Sequence, residues 1–277
     1  MDPLSPLFER FTLSARVFFA GLLCQSAEFE RRPGLGTLHV LRRGRLNVAE
    51  QGGAWREISE PSVLFYPRPL DHGFRPHGAS GAELTCASID FGEGVGNPVL
   101  RGLPDLMLAP LDQIPSMGTT LDALFDEAFA ARPGRQVVLN RLLEYVLVLL
   151  LRHALATQSL DGSVLTALGD PRLSKSLMAM HERPEHPWSL GELALAAGMS
   201  RARFAVHFLA ATGVTPMDYL TDWRLSCAKT LLRRGQPLKT VAPMVGYSSS
   251  VALTRAFSRR VGVPPAQWLS GVAPAVP

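Results

Sequence analysis

Residues 246–265, GYSSSVALTRAFSRRVGVPP, decide how the second half of this 277-residue chain is read. The stretch opens on small polar residues, continues as an apolar and basic mixture, and closes on Gly262, Pro264 and Pro265. Ser248 or Ser249 stands where an N-cap belongs, and Gly262 where a helix stops in the C′ manner. Gly246 precedes them at a sharp turn that favours positive φ. Leu253 and Phe257, four residues apart, form the buried side of this helix. The opposite side carries Ser249, Ser250, Val251, Ala252 and Arg255, with Arg259 and Arg260 further along.

Comparing the chain with itself shows that this unit is a second copy. Leu193, Ala194, Ala197, Gly198 and Ser200 match Val241, Ala242, Val245, Gly246 and Ser248 at a shift of 48, and Phe208, Gly213, Pro216 and Tyr219 match Phe257, Gly262, Pro265 and Trp268 at a shift of 49. Each copy reads as a short helix, a Gly-containing turn, a second helix and a Gly stop, which is helix-turn-helix order. Ser189 with Glu192 makes a capping box for a helix over 190–197, and Ser200 caps the next. Thr215–Pro216 starts a long helix over about 216–233 that ends at Gly235 and joins the units. In copy one Phe204 and Phe208 are core, which leaves Arg201, Ala202, Arg203, Ala205 and Val206 outward. A helix with small residues at its front can approach the floor of a DNA major groove. There Ser and Arg bond base edges, and Ala or Val meets a thymine methyl. Arg259 and Arg260 are expected to meet phosphates or to solvate the surface.

Charge agrees with that reading. Residues 1–170 carry 15 Lys and Arg against 19 Asp and Glu, whereas residues 171–277 carry 13 against 5. A basic module beside an acidic one implies an anionic partner for the C-terminal half, nucleic acid ahead of membrane. No signal peptide and no run of eighteen apolar residues is present, so a cytoplasmic protein with no membrane span is expected. The three cysteines, Cys24, Cys86 and Cys227, have neither disulfide nor zinc spacing and are expected to be reduced and buried.

Over roughly 171–270 the sequence resembles the AraC/XylS family of transcription regulators, through GMSRARF with a following GVTP and through VGYSSSVALTRAFSRRVGVPPAQW. The resemblance implies seven helices in two subdomains, with both recognition helices entering successive major grooves of double-stranded DNA. It also marks departures. Val206 stands where members commonly carry Arg, and His207 where a core aliphatic is usual. Pro243 falls inside the first helix of copy two, where an interior proline costs up to about 3 kcal/mol; a helix beginning near Lys239 would bring it close to the first turn.

The acidic half alternates short β-like runs with Gly and Pro: ARVFFAGLL, GTLHVLRR, GRLNVAE, PSVLFYP and AELTCASIDF. Helical patterns follow at 120–130 and 135–156. The second of these is apolar on most sides and broken by Arg141, Glu144, Arg152 and His153, so it is expected to pack on a barrel and on a partner copy. This half resembles the cupin-type sensory domain of one branch of AraC-like regulators, in DPLSPLF and in PSVLFYPRPLDHGF. Metal-binding cupins need a fuller ligand set than His39 and His72 supply, so no metal and no cofactor is expected. His77 reads as a loop residue and His39 as a satisfied, half-buried strand histidine. Cys24 and Cys86, both on expected strands, are candidates for redox sensing.

The expected architecture is α+β and multidomain. A cupin-like β-barrel with flanking helices occupies 1–165, a linker 166–171, an all-α tandem helix-turn-helix domain 172–270, and a tail 271–277. The linker region 158–170 is the expected hinge. The expected function is a sequence-specific transcription regulator whose barrel senses an unknown small molecule or oxidant, with a homodimer through the N-terminal domain and RNA polymerase as further partners. Activation versus repression is left open. The alternatives are a cupin-type enzyme fused to a DNA-binding module and an architectural nucleic-acid binder. No Ser/His/Asp set, phosphate-binding Gly loop or carboxylate pair supports an enzyme.

Overall fold

The computed structural model describes residues 4, 13–50, 52–78, 81–91, 100, 103–157 and 164–271. The chain divides into two compact units, one of residues 12–95 with 103–160, the other of 161–277 with 1–11 and 96–102.

The first unit pairs its strands antiparallel in two sheets. One holds β1 (Ser14–Leu23), β8 (Ala82–Asp90), β3 (Gly36–Arg43), β6 (Ser62–Tyr66) and β9 (Met107–Pro110) in that order; the other holds β2 (Ala27–Phe29), β7 (His72–Pro76), β4 (Leu46–Glu50) and β5 (Arg56–Ile58). Leu41, Leu64, Tyr66, Leu84 and Cys86 from the first sheet meet Leu46, Val48, Ile58 and Phe74 from the second, which makes the barrel core. The runs read as strands become β1, β3, β4, β6 and β8. The other four were missed because three or four residues cannot display a period of two, and because Gly73 and Pro76 disguise β7.

Two helices, α1 (Met117–Phe129) and α2 (Arg135–Ala156), pack on β1. β1 is the outermost strand of its sheet, so one row of its backbone groups has no neighbouring strand. The polar residues of α2 serve that row. Gln136 Nε2 donates to the Val17 carbonyl at 3.0 Å, Asn140 Oδ1 accepts from the Val17 amide at 2.9 Å, and Glu144 Oε1 accepts from the Ala15 amide at 3.2 Å. Spaced four apart, the three side chains share one face of the helix. At Ala15 and Val17 they occupy edge groups that would otherwise be open to further pairing.

The second unit is helical: α3 (Val164–Gly169), α4 (Leu173–Glu182), α5 (Leu190–Ala196), α6 (Arg201–Thr212), α7 (Pro216–Arg233), α8 (Leu238–Met244), α9 (Ser250–Val261) and α10 (Pro265–Gly271). From α4 onward these are the seven helices the resemblance implies. The linker assignment is corrected. Residues 164–169 are a helix that buries Val164, Leu165, Ala167 and Leu168 and packs on α4 and α6. The unit therefore starts near 161 and not at 172, because VLTAL supplies an apolar face that a hinge would leave in water. Residues 158–163 and 272–277, and DPLSPLF apart from Leu4, lie outside the described residues.

Pro243 is the sixth of seven residues of α8, so it sits in the last turn and not near the first. It is exposed, as is Lys239, whose carbonyl loses the bond from position 243 and can turn to water instead.

Candidate nucleic-acid interface

Each recognition helix is held by local chemistry that fixes its ends. Ser200 accepts from the Arg203 amide at 3.4 Å and Ser249 from the Ala252 amide at 3.1 Å. Gly213 and Gly262 end the helices at φ 73° and 90°, the left-handed region where glycine has no Cβ to clash. The capping box of Ser189 and Glu192 starts α5, and backbone and side-chain hydrogen bonds from Ser189, with one from His186, hold the Glu192 carboxyl at about 2. Phe204, Phe208, Leu253 and Phe257 are fully buried. The anchoring faces are therefore those expected from the repeat.

On the opposite faces Arg201, Ala202, Arg203 and Val206 of α6, with Ser249, Val251, Arg255 and Arg259 at α9, are exposed, while Ala205, Ser250 and Ala252 are partly buried. Val206 is 71% and Val251 58% exposed, unusual for branched apolar side chains and suited to an apolar contact with a partner. Arg201 leans back across α5: a Cβ at Gly191 would lie 2.8 Å from its Nε.

Arg260 is exposed yet paired within the protein. Its Nε and Nη2 donate to the Asp222 carboxylate of α7 at 2.5 and 2.9 Å, a two-pronged pair with the Asp222 side chain only 5% exposed. His207, out of place in an aliphatic pattern, has a partner as well. Its Nε2 lies 2.7 Å from Asp170 Oδ2, and Asp170 Oδ1 accepts from the Arg172 and Leu173 amides at the start of α4. Burial would raise the Asp170 carboxyl, but the His207 bond and the two amides outweigh it and hold the pKa low.

The first unit hides a pair of histidines. His39 on β3 and His72 on β7 place their Nε2 atoms 2.8 Å apart, and His72 Nδ1 lies 2.8 Å from the Leu70 carbonyl. A carbonyl only accepts, so His72 carries its proton on Nδ1, its Nε2 accepts, and His39 donates from Nε2. His39 is fully buried, not half-buried as expected, and its Nδ1 has no hydrogen-bond partner. Burial holds both imidazoles below their ordinary pKa, and the neighbouring His72 adds to the effect on His39. The Leu70 carbonyl, Glu50 and Asp71 oppose burial at His72 without overcoming it. His77 is a loop residue, as expected. Among the described residues no three His, Cys, Asp or Glu side chains gather closely enough to hold a metal ion.

The two cysteines of the redox reading sit in different surroundings. Cys24 is exposed, just beyond the end of β1, contrary to the buried thiol expected there. Cys86 is fully buried opposite Phe19, and burial pushes its thiol pKa up, which keeps it protonated. β1 ends with Leu23 opposite Ala82, so the two thiols lie on the order of 15 Å apart along the paired strands. A direct bridge between them needs Cα atoms within about 7 Å. A cavity of about 520 Å³ opens on the barrel, with Phe18, Phe19, Phe29 and Leu84 among its apolar walls and Thr37, Ser88 and Arg32 among its polar ones.

Comparison with known proteins follows this division. A cupin family model matches residues 2–156, more than half the chain, and a helix-turn-helix domain model matches residues 193–271. A protein of Streptomyces lividans described as an AraC-like transcription regulator is 33% identical over 194 residues, which cover 67% of this chain and 62% of that relative, less than two thirds of its length. The RCS-specific HTH-type transcriptional activator RclR of Escherichia coli K12 is 27% identical over 86% of both chains. The solved DNA-binding domain of AdpA in complex with a target DNA is 31% identical, covering 37% of this chain and 92% of that one, with a TM-score of 0.35. No helix among the described residues is long and apolar enough to cross a membrane.

Proposed function

The chain belongs to the AraC-type transcription regulators that carry an N-terminal cupin domain, and from that membership we propose that it is a sequence-specific, DNA-binding regulator of transcription. One observation carries the reading. Two capped helices, anchored by buried phenylalanines, present small side chains and the exposed Arg201, Arg203, Arg255 and Arg259 on their outer faces. Arginines on phosphates supply salt-sensitive affinity, and those reaching a base supply discrimination. α6, with Val206 and Ala205 toward the groove, contributes chiefly apolar contact, while α9 adds Ser249, Ser250 and Arg255.

The test is selection of duplexes from a random library with the full chain. Enrichment of a two-part site is expected; recovery of no sequence above background ends the proposal. With that site in hand, Arg255→Ala should weaken binding by about 1–3 kcal/mol, concentrated at one base pair if Arg255 reads a base, or spread evenly with a shallower salt dependence if it meets phosphate. An unchanged affinity removes Arg255 from the contacts.

The same reading gives the barrel cavity a small organic effector, since about 520 Å³ lies within the usual range of ligand sites. It also includes a homodimer through the sensory unit. Val137, Val138 and Tyr145 of α2 are 64, 42 and 43% exposed, and sedimentation across a concentration series reports whether they are covered. RNA polymerase is the remaining partner in this reading, and comparing transcription in vitro with and without the protein tests it.

A further inference from the structure

We propose that Arg224 and the Asp222–Arg260 pair are positioning residues: they set how α6 and α9 stand relative to one another, and so fix the spacing between half-sites that the protein accepts. The inference rests on the DNA-binding reading and adds to it the residues that govern geometry without touching DNA.

The long helix α7 joins the two helix-turn-helix units, and its buried side is mostly apolar, with Tyr219, Leu220, Trp223 and Leu225. Asp222 lies among them, 6% exposed. A carboxylate in such a place is costly unless paired with good geometry. Arg260, near the end of α9, supplies the pairing with both prongs of its guanidinium, and Arg260 Nη1 also lies 3.8 Å from Asp218 one turn earlier. A planar fork on a carboxylate fixes orientation as well as distance, which a single ammonium does not. The far end of the second recognition helix is thereby tied to α7.

Arg224 makes the other tie. Its Nε donates to the Pro184 carbonyl and its Nη2 to the His186 carbonyl, each at 2.7 Å, in the segment between α4 and α5 of the first subdomain. The same guanidinium lies under Gly246, in the turn of the second helix-turn-helix unit. A Cβ there would lie 2.8 Å from the guanidinium carbon and 2.8 Å from the Pro184 oxygen. One side chain of the connecting helix thus touches both subdomains. The first subdomain is held further by His181, whose Nε2 lies 2.6 Å from the Tyr219 hydroxyl and whose ring stacks on Trp223.

Each base pair added between half-sites moves one of them by about 3.4 Å and turns it by about 35°. A rigid link makes the protein intolerant of that change; a loosened link spreads its tolerance. The experiment uses the full chain and the duplex recovered by selection, in a series with one or two base pairs inserted or removed between the half-sites, with binding read by fluorescence anisotropy. For the wild type each single-pair change should lower affinity about tenfold or more. For Arg260→Gln and Arg224→Met that penalty should shrink to about threefold or less, with Arg260→Lys intermediate because it keeps the charge and loses the fork. Circular dichroism reports folding. Should the single changes unfold the domain, Asp222→Asn with Arg260→Gln, which leaves no buried charge, decides the matter. A spacing profile as sharp as the wild type's in folded variants, or a loss equal at every spacing, overturns the proposal. Failure of the wild type to select any site is a different result and overturns the DNA-binding reading itself.

Discussion

Gly246→Ala should cost the helical unit about 3 kcal/mol or more and abolish high-affinity DNA binding. Gly246 has φ 81°, and a non-glycine residue in the left-handed region costs of order 1 kcal/mol on backbone grounds alone. The larger part is steric. The new methyl would press on the Arg224 guanidinium and on the Pro184 oxygen, and Arg224 cannot swing aside without giving up its bonds to the Pro184 and His186 carbonyls. Hydrogen bonds from a charged donor are worth about 1.5–3 kcal/mol each. Gly198, the equivalent turn in the first copy, supplies the control: φ is 63°, but nothing lies within 4 Å of a Cβ built there. Gly198→Ala should cost only about 1 kcal/mol. Urea unfolding of both variants checks the contrast, and equal losses would mean that Arg224 yields freely at the second turn.

Acidification from pH 7 to pH 5 should destabilise the first unit through His39 and His72. Both imidazoles are held neutral in the fold by burial, so their folded pKa values lie below the unfolded value of about 6.5. Below that value the unfolded chain binds protons that the folded chain refuses. Stability therefore falls as pH drops through about 6.5 and levels only below the folded values. Protonating His39 at its unpartnered Nδ1 leaves its donation to His72 intact; the penalty is charge among Phe29, Tyr66 and Phe74, whose rings surround the pair. Urea midpoints from pH 7.5 to 5 should slope steeply for the wild type and flatten when both histidines become leucine. An equal slope in that double variant would assign the acid sensitivity elsewhere.

Local signals carried the sequence reading furthest. Caps at Ser189, Ser200, Thr215 and Ser249, and glycines at 198, 213, 246 and 262, act within four residues of themselves, so they were legible in a single chain. The repeat then placed the outward faces. Contacts closed only by folding were not legible. Arg260 finds Asp222 across 38 residues, and Arg224 finds Pro184 across 40. One trace of the first was available: Asp222 falls on the apolar side of α7, where a lone carboxylate asks for a cation. His39 and His72 likewise meet only when the two sheets close. The helix at 164–169 was missed because six residues between a polar run and Pro171 offer too little period to separate from a hinge.

The ladder of Gln136, Asn140 and Glu144 along β1 has a bearing on manufacture inside the cell as much as on architecture. With those side chains in place, the first part of the outermost strand, at Ala15 and Val17, offers a newly made neighbour no free amide to pair with, although Phe18 and Leu22 further along are 39 and 55% exposed. Replacing Asn140 by leucine would strip the Val17 amide of its acceptor and leave a sticky ribbon. The damage would then surface as inclusion bodies and poor yield, while the helical unit of any soluble fraction stayed folded.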